Sequence, residues 1–155
     1  MKKSEKDITN TLQQLTQFVN DAQVTYEQAV KETGKPPLQR LYLLLLSQRA
    51  EHAMELNQII ESHHGQVETG TSEVGQLYRQ WLSFKADYNN GKEKNLVDLT
   101  LFGEEWIQKA YQAALEQETL PLSTRQVLER QRLACLQGLE KLQELKGSPN
   151  PAVDP

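Results

Sequence analysis

Apolar residues recur every three or four positions through four long stretches of this chain, and Gly, Pro or Asn-Gly breaks separate the stretches. A repeat of that period lays one apolar stripe along one face of an α-helix, whereas a half-buried strand needs strict alternation. No stretch of the sequence alternates over a strand's length. The stripes must therefore be buried against one another. A chain of 155 residues is long enough to do this as one domain, without disulfides or a structural metal.

The first helix is expected from about Ser4 to Thr33, with Ile8, Leu12, Leu15, Val19, Ala22, Tyr26 and Ala29 on its inner face. Gly34 and Pro36-Pro37 end it. The second runs from about Pro37 to His64; Leu38, Tyr42, Leu45, Leu56 and Ile60 form its stripe, and Arg49 and His52 interrupt it. A shorter third helix, about Ser72 to Tyr88, carries Val74, Leu77, Tyr78, Trp81 and Tyr88, with a turn at Asn89-Asn90-Gly91. The fourth, about Glu93 to Gln117, presents Leu96, Leu99, Gly103, Ile107, Ala110 and Ala114. The fifth, about Thr124 to Lys146, presents Val127, Gln131, Ala134, Gly138, Leu142 and Leu145. Ser123 and Gln126 have capping-box spacing at its start, and Leu122 and Val127 the spacing of a hydrophobic staple. Residues 147–155 open with Gly-Ser-Pro-Asn-Pro and read as a disordered tail, which leaves 1–146 as the helical domain.

The short helix falls between the second and third long ones. A ferritin-like bundle needs its one long crossover at that point. The expected fold class is thus all-α: a ferritin-like antiparallel four-helix bundle with a short additional crossover helix between the second and third long helices.

Net charge is −4 and the isoelectric point about 5.4, which argues against general nucleic-acid affinity. The longest apolar run, Leu41–Leu46, is far too short to span a bilayer, so no membrane partner is expected. Met1-Lys2-Lys3 is not followed by an apolar segment, and the single Cys135 fits a reducing compartment; a cytoplasmic protein is expected.

Several short motifs taken together resemble a bacterial family of ferritin-like four-helix-bundle proteins classed as a domain of unknown function. They are Tyr26 with Ala29; Gln48-Arg49-Ala50-Glu51 followed by Glu55-Leu56; Trp81 with Lys85; Gly103-Glu104 followed by Ala110-Tyr111 and Ala114-Leu115; and Gln131. The resemblance implies the ferritin-like fold and no assigned activity. In the last helix the family often has a His-Asp pair where this chain has Leu139-Glu140.

Carboxylate-bridged di-iron chemistry on such a fold takes a Glu from each of two helices and a Glu-x-x-His pair from each of the other two. All three histidines, His52, His63 and His64, fall on the second helix, so this arrangement cannot be built within one chain. Glu61-Ser62-His63-His64 matches the spacing once, at a helix end where histidines also suit the exposed carbonyls. A carboxylate-only alternative would draw Glu27, Glu55 and Glu104 together and hold a divalent cation weakly. The bland reading makes these carboxylates boundary residues paired with cations or water. Arg49, His52 and Gln131 interrupt apolar stripes, and charges in a bundle core are costly unless paired. They are expected to form a buried polar layer in which Arg49 meets Glu104, with Tyr26 and Gln131 as hydrogen-bonding partners. No cofactor is expected. The functional expectation is a non-catalytic bundle that associates with itself or with a protein partner; the alternative is a ferritin relative with a degenerate metal-binding or oxidoreductase-type site.

Overall fold

The computed structural model of the chain describes residues 3–76 and 92–147. Within them stand four long helices: α1 (Lys3–Glu32), α2 (Pro36–Ser62), α3 (Lys92–Leu115) and α4 (Leu122–Gly147). Of the expected third helix only a helical turn at 73–76 lies among the described residues, and the rest falls outside them. The expected tail also falls outside, except for Gly147, which closes α4.

Helix ends follow local chemistry. Lys35 precedes α2 without a side-chain cap, and prolines occupy its first positions, where a missing N–H costs nothing. The carboxyl end of α2 differs from the sequence expectation, for the helix stops at Ser62. The N–H of His64 bonds to the carbonyl of Glu61 at 3.0 Å, and that of Gly65 to the carbonyl of Ile60 at 2.9 Å. His64 itself takes φ 64°, the left-handed position that glycine usually fills in this motif. His64 therefore lies outside α2, and the single Glu-x-x-His match does not sit on one helix as its spacing suggested. At the start of α4 the expected capping box does not form either, because the helix begins at Leu122 and puts Ser123 inside its first turn. Leu122 is exposed, so it is not stapled to Val127. Arg125 ties this corner instead, donating to the carbonyls of Leu115 at 2.8 Å and Gln117 at 2.6 Å.

The helices pack as α1 on α2, α3 on α4, α1 on α3 and α2 on α4. This places α1 opposite α4 and α2 opposite α3 across the bundle's diagonals. The core divides into two clusters along the axis. One unites Ile8, Leu12, Leu15 and Val19 of α1, Leu56 and Ile60 of α2, Ile107 and Tyr111 of α3, and Leu128 and Cys135 of α4. The other unites Tyr26 and Ala29, Leu38, Tyr42 and Leu45, Leu96, Val97, Leu99 and Leu101, and Leu139 and Leu142. Early residues of α1 and α4 thus share an end with late residues of α2 and α3. Every neighbouring pair is antiparallel, α2 runs parallel to α3, and a crossover must connect them.

The described start of that crossover lies along α1. Gln13 donates to the carbonyl of Gln66 at 2.7 Å, Gln17 to Glu68 at 3.0 Å, and Asn20 to the carbonyl of Gly70 at 2.9 Å. Asp21 then accepts from the N–H of Ser72 at 3.0 Å and from its hydroxyl. The Ser72 hydroxyl in turn accepts from the N–H of Gly75 at 2.9 Å, capping the turn at 73–76. A Cβ on Gly75 would overlap the carboxylate of Asp21, so only glycine lets the turn come this close. No helix among the described residues is long and apolar enough to cross a membrane.

Candidate functional site: a polar layer in the bundle centre

Between the two apolar clusters the stripe of α2 passes from Leu45 to Leu56 through Arg49 and His52. Arg49 has no exposed surface, and Glu104 on α3 is 2% exposed. Nη1 of Arg49 lies 2.6 Å from Oε1 of Glu104, and Nη2 lies 3.2 Å from Oε2. The two-pronged geometry satisfies both carboxylate oxygens. Tyr26 of α1 donates its hydroxyl to Oε1 of the same carboxylate, and its ring lies 5.7 Å from the guanidinium carbon. On α4, a Cβ added at Gly138 would collide with Leu45 at 2.7 Å and sit in ordinary contact with Nη2 of Arg49 at 3.6 Å, so the glycine admits Leu45 beside the pair. All four helices shape this one pair.

A second group adjoins it on the α4 side. Gln131 accepts from the Tyr111 hydroxyl at 2.8 Å and donates to Glu55 at 2.8 Å. Glu55 also pairs with Arg130 at the surface. His52 is buried, with Nδ1 4.0 Å from Sγ of Cys135.

The electrostatics follow from burial. Burial works against the charge on Arg49, but the carboxylate of Glu104, with Cys135 and Tyr26, outweighs it and holds the guanidinium pKa above its ordinary value. Burial and then Glu104 push the Tyr26 hydroxyl up, and burial with Cys135 does the same to Tyr111. Burial and the nearby Arg49 charge pull His52 down to about 4. Burial pushes the Cys135 thiol up to about 12. At neutral pH His52 and Cys135 are therefore an uncharged pair, and Cys135 has no nucleophilic thiolate. Burial acts to raise the pKa of Glu55, but its hydrogen bonds to Gln131 and Arg130 outweigh that and lower it.

The structure brings Tyr26, Arg49 and Glu104 together, and Gln131 meets the backbone carbonyl of His52 at 3.4 Å. It does not gather Glu27, Glu55 and Glu104. Glu27 is exposed and pairs with Lys31 one turn away at 3.8 Å, because its phase points it out of the bundle. Glu104, placed at the edge of its stripe by sequence, stands in the centre. Among the described residues no group of three or more His, Cys, Asp or Glu side chains is gathered as a metal ion requires. Tyr111, Arg130 and Asp21 went unassigned from sequence. Tyr111 carried a usable signal, being one turn from Ile107 and next to Ala110 in the family-like Ala110-Tyr111 pair; Asp21 carried none.

No curated protein sequence matches the chain. Solved structures share its fold, among them the following two. One is described as a ferritin-like, diiron-carboxylate protein from Bacillus anthracis, with TM-score 0.73 and 16% identity, covering 95% of this chain and 100% of that one. The other is a mutant of Mycobacterium smegmatis Dps1, with TM-score 0.75 and 15% identity, covering 94% of this chain and 99% of that one. At such identities the likeness establishes the ferritin-like fold alone. The family model for DUF2383, a domain of unknown function, matches residues 7–117 and so stops short of α4 and its Leu139-Glu140 pair; the chain belongs to that family.

Proposed function

We propose that this protein is a non-catalytic ferritin-like bundle that acts by associating with itself or with a protein partner. The observation that carries the reading is the buried Arg49–Glu104 pair. A di-iron centre in such a fold occupies the middle of the bundle and needs carboxylates and imidazoles converging on it. Here the middle holds a guanidinium, which uses both oxygens of Glu104. The carboxylate at the edge of the layer, Glu55, is half-buried and committed to Arg130 and Gln131. The donor set does not fit a metal pair, and no redox step is assigned to it. The outward face of α2 supports association. Leu43 is 49% exposed, Leu44 58% and Met54 64%, apolar side chains that a partner could cover.

Metal analysis of protein incubated anaerobically with ferrous iron, coupled to native mass, tests this. The expected result is substoichiometric iron, no ferroxidase burst, and a native mass above one chain or a stable complex with a partner. Two irons per chain surviving gel filtration would overturn it. That result would promote the alternative, a metal-binding or oxidoreductase-type relative, which the description of the Bacillus anthracis structure favours.

A further inference from the structure

Every residue of Leu41–Leu46 is apolar, and the run is longer than one helical turn, so it passes right round α2. A helix that is apolar on every side is normally covered on every side. The bundle covers one side only: Leu41, Tyr42 and Leu45 are buried in it, while Leu43 and Leu44 stand in solvent. Opposite the buried side runs an exposed stripe of Pro37, Arg40, Leu44, Ser47, Glu51 and Met54. Its steps alternate three and four, the spacing that keeps two packed helices in contact along a seam. The two charges in the stripe have opposite signs, and neither Arg40 nor Glu51 is paired with another charge among the described residues. They stand about 16 Å apart along the helix, too far to meet each other.

We infer that this stripe is an interface with a second copy of the chain, two α2 helices packing antiparallel about a twofold axis. In a twofold contact, if one residue meets another, the second also meets the first. Setting Arg40 of one copy against Glu51 of the other places Leu44 against Ser47 and Met54 against Pro37, each contact made twice. Ser47 is the smallest side chain of the stripe and lies where the opposing Leu44 needs room. Two ion pairs then form at the margins, where they fix register, and both copies of Leu44 leave water. A parallel pairing would oppose Arg40 to Arg40 and Glu51 to Glu51. A shift of one heptad either way leaves all four charges unmatched. A foreign partner requires no such self-match, and the self-match is what identifies the occupant. The inference rests on the association proposed above and names its face and its partner.

Sedimentation equilibrium of the full-length chain over a concentration series tests it. The wild type should be a dimer that dissociates more readily as salt rises, because Arg40 and Glu51 attract across the seam. Leu44→Asp should weaken the dimer at least about a hundredfold with helical circular dichroism retained. Arg40→Glu and Glu51→Arg should each weaken it at least about tenfold alone, by setting like charges opposite each other. Mixed together, these two variants should form a heterodimer of near wild-type affinity, since one copy then presents two acidic groups and the other two basic ones. A monomeric wild type would overturn the inference and leave association with another protein standing. A dimer that survives Leu44→Asp would overturn the face and leave self-association standing. A dimer that tightens with salt, or charge variants that do not combine, would overturn the antiparallel register and the inference with it.

Discussion

Arg49 and Glu104 join helices that do not pack on each other: the guanidinium of α2 reaches the carboxylate of α3 across the diagonal of the bundle at 2.6 Å. The pair is fully enclosed. Removing one partner therefore leaves a buried, uncompensated charge, a loss of about 3–5 kcal/mol, whereas replacing both by apolar groups of similar volume is often neutral. Arg49→Met should be strongly destabilising in urea unfolding, and adding Glu104→Leu should recover most of the loss. Coupling in this cycle is expected well above ~0.5 kcal/mol. Additive effects would show that the two side chains do not depend on each other.

The pH dependence of stability should carry a signature of His52. Its pKa falls from 6.5 to about 4 on folding, through burial and then the Arg49 charge. Between those values the unfolded chain binds a proton that the folded chain refuses. Stability is therefore full above pH 6.5 and is lost as pH falls toward 4, by about 1 kcal/mol per pH unit at the steepest. Comparing His52→Gln with the wild type isolates this component, because the carboxylates titrate in both. A variant whose stability declines as steeply as the wild type over that window would show that His52 is not held neutral.

At the end of α2, His64 sits at φ 64° without being glycine. A side chain in the left-handed region costs about 1–2 kcal/mol. His64→Gly should raise the unfolding free energy by up to about 1 kcal/mol, offset in part by the greater freedom of glycine in the unfolded chain. A lower thermal midpoint for this variant would mean that the imidazole supplies a compensating interaction.

The crossover anchor predicts a dependence between Gly75 and Asp21. Gly75→Ala should cost about 1–3 kcal/mol, because its Cβ would collide with the Asp21 carboxylate. In an Asp21→Ala background the same change should cost much less, although Asp21→Ala is itself destabilising through loss of its bonds to Ser72. Equal costs in both backgrounds would place the clash elsewhere.

The sequence was a good guide wherever one apolar stripe dominated its helix. On α1, six of the seven expected inner residues are buried and Ala22 is half-buried. On α4 it was half right, because two stripes lie one residue apart and share Gln131, Gly138 and Leu142, all three of them buried as expected. In place of the expected Val127, Ala134 and Leu145 the structure buries Leu128, Cys135 and Leu139, and it leaves Leu145 36% exposed. Periodicity cannot choose between such stripes; neighbouring helices do. Arg49 was legible as a cation needing a partner, since an arginine in an apolar stripe permits little else. The position of Glu104 was not, because phase alone gave it to the boundary. Gln13, Gln17, Asn20 and Asp21 read as ordinary polar surface, and their work in holding the crossover depends on contacts more than forty residues away in sequence.

The crossover also divides the molecule into two hairpins, α1–α2 and α3–α4, and each carries one half of the central ion pair. A hairpin alone, or one matched to a second copy of itself, would set Arg49 against Arg49 or Glu104 against Glu104. Only the union of unlike hairpins neutralises both charges. The buried pair therefore penalises the like-with-like pairings that a purely apolar seam would tolerate.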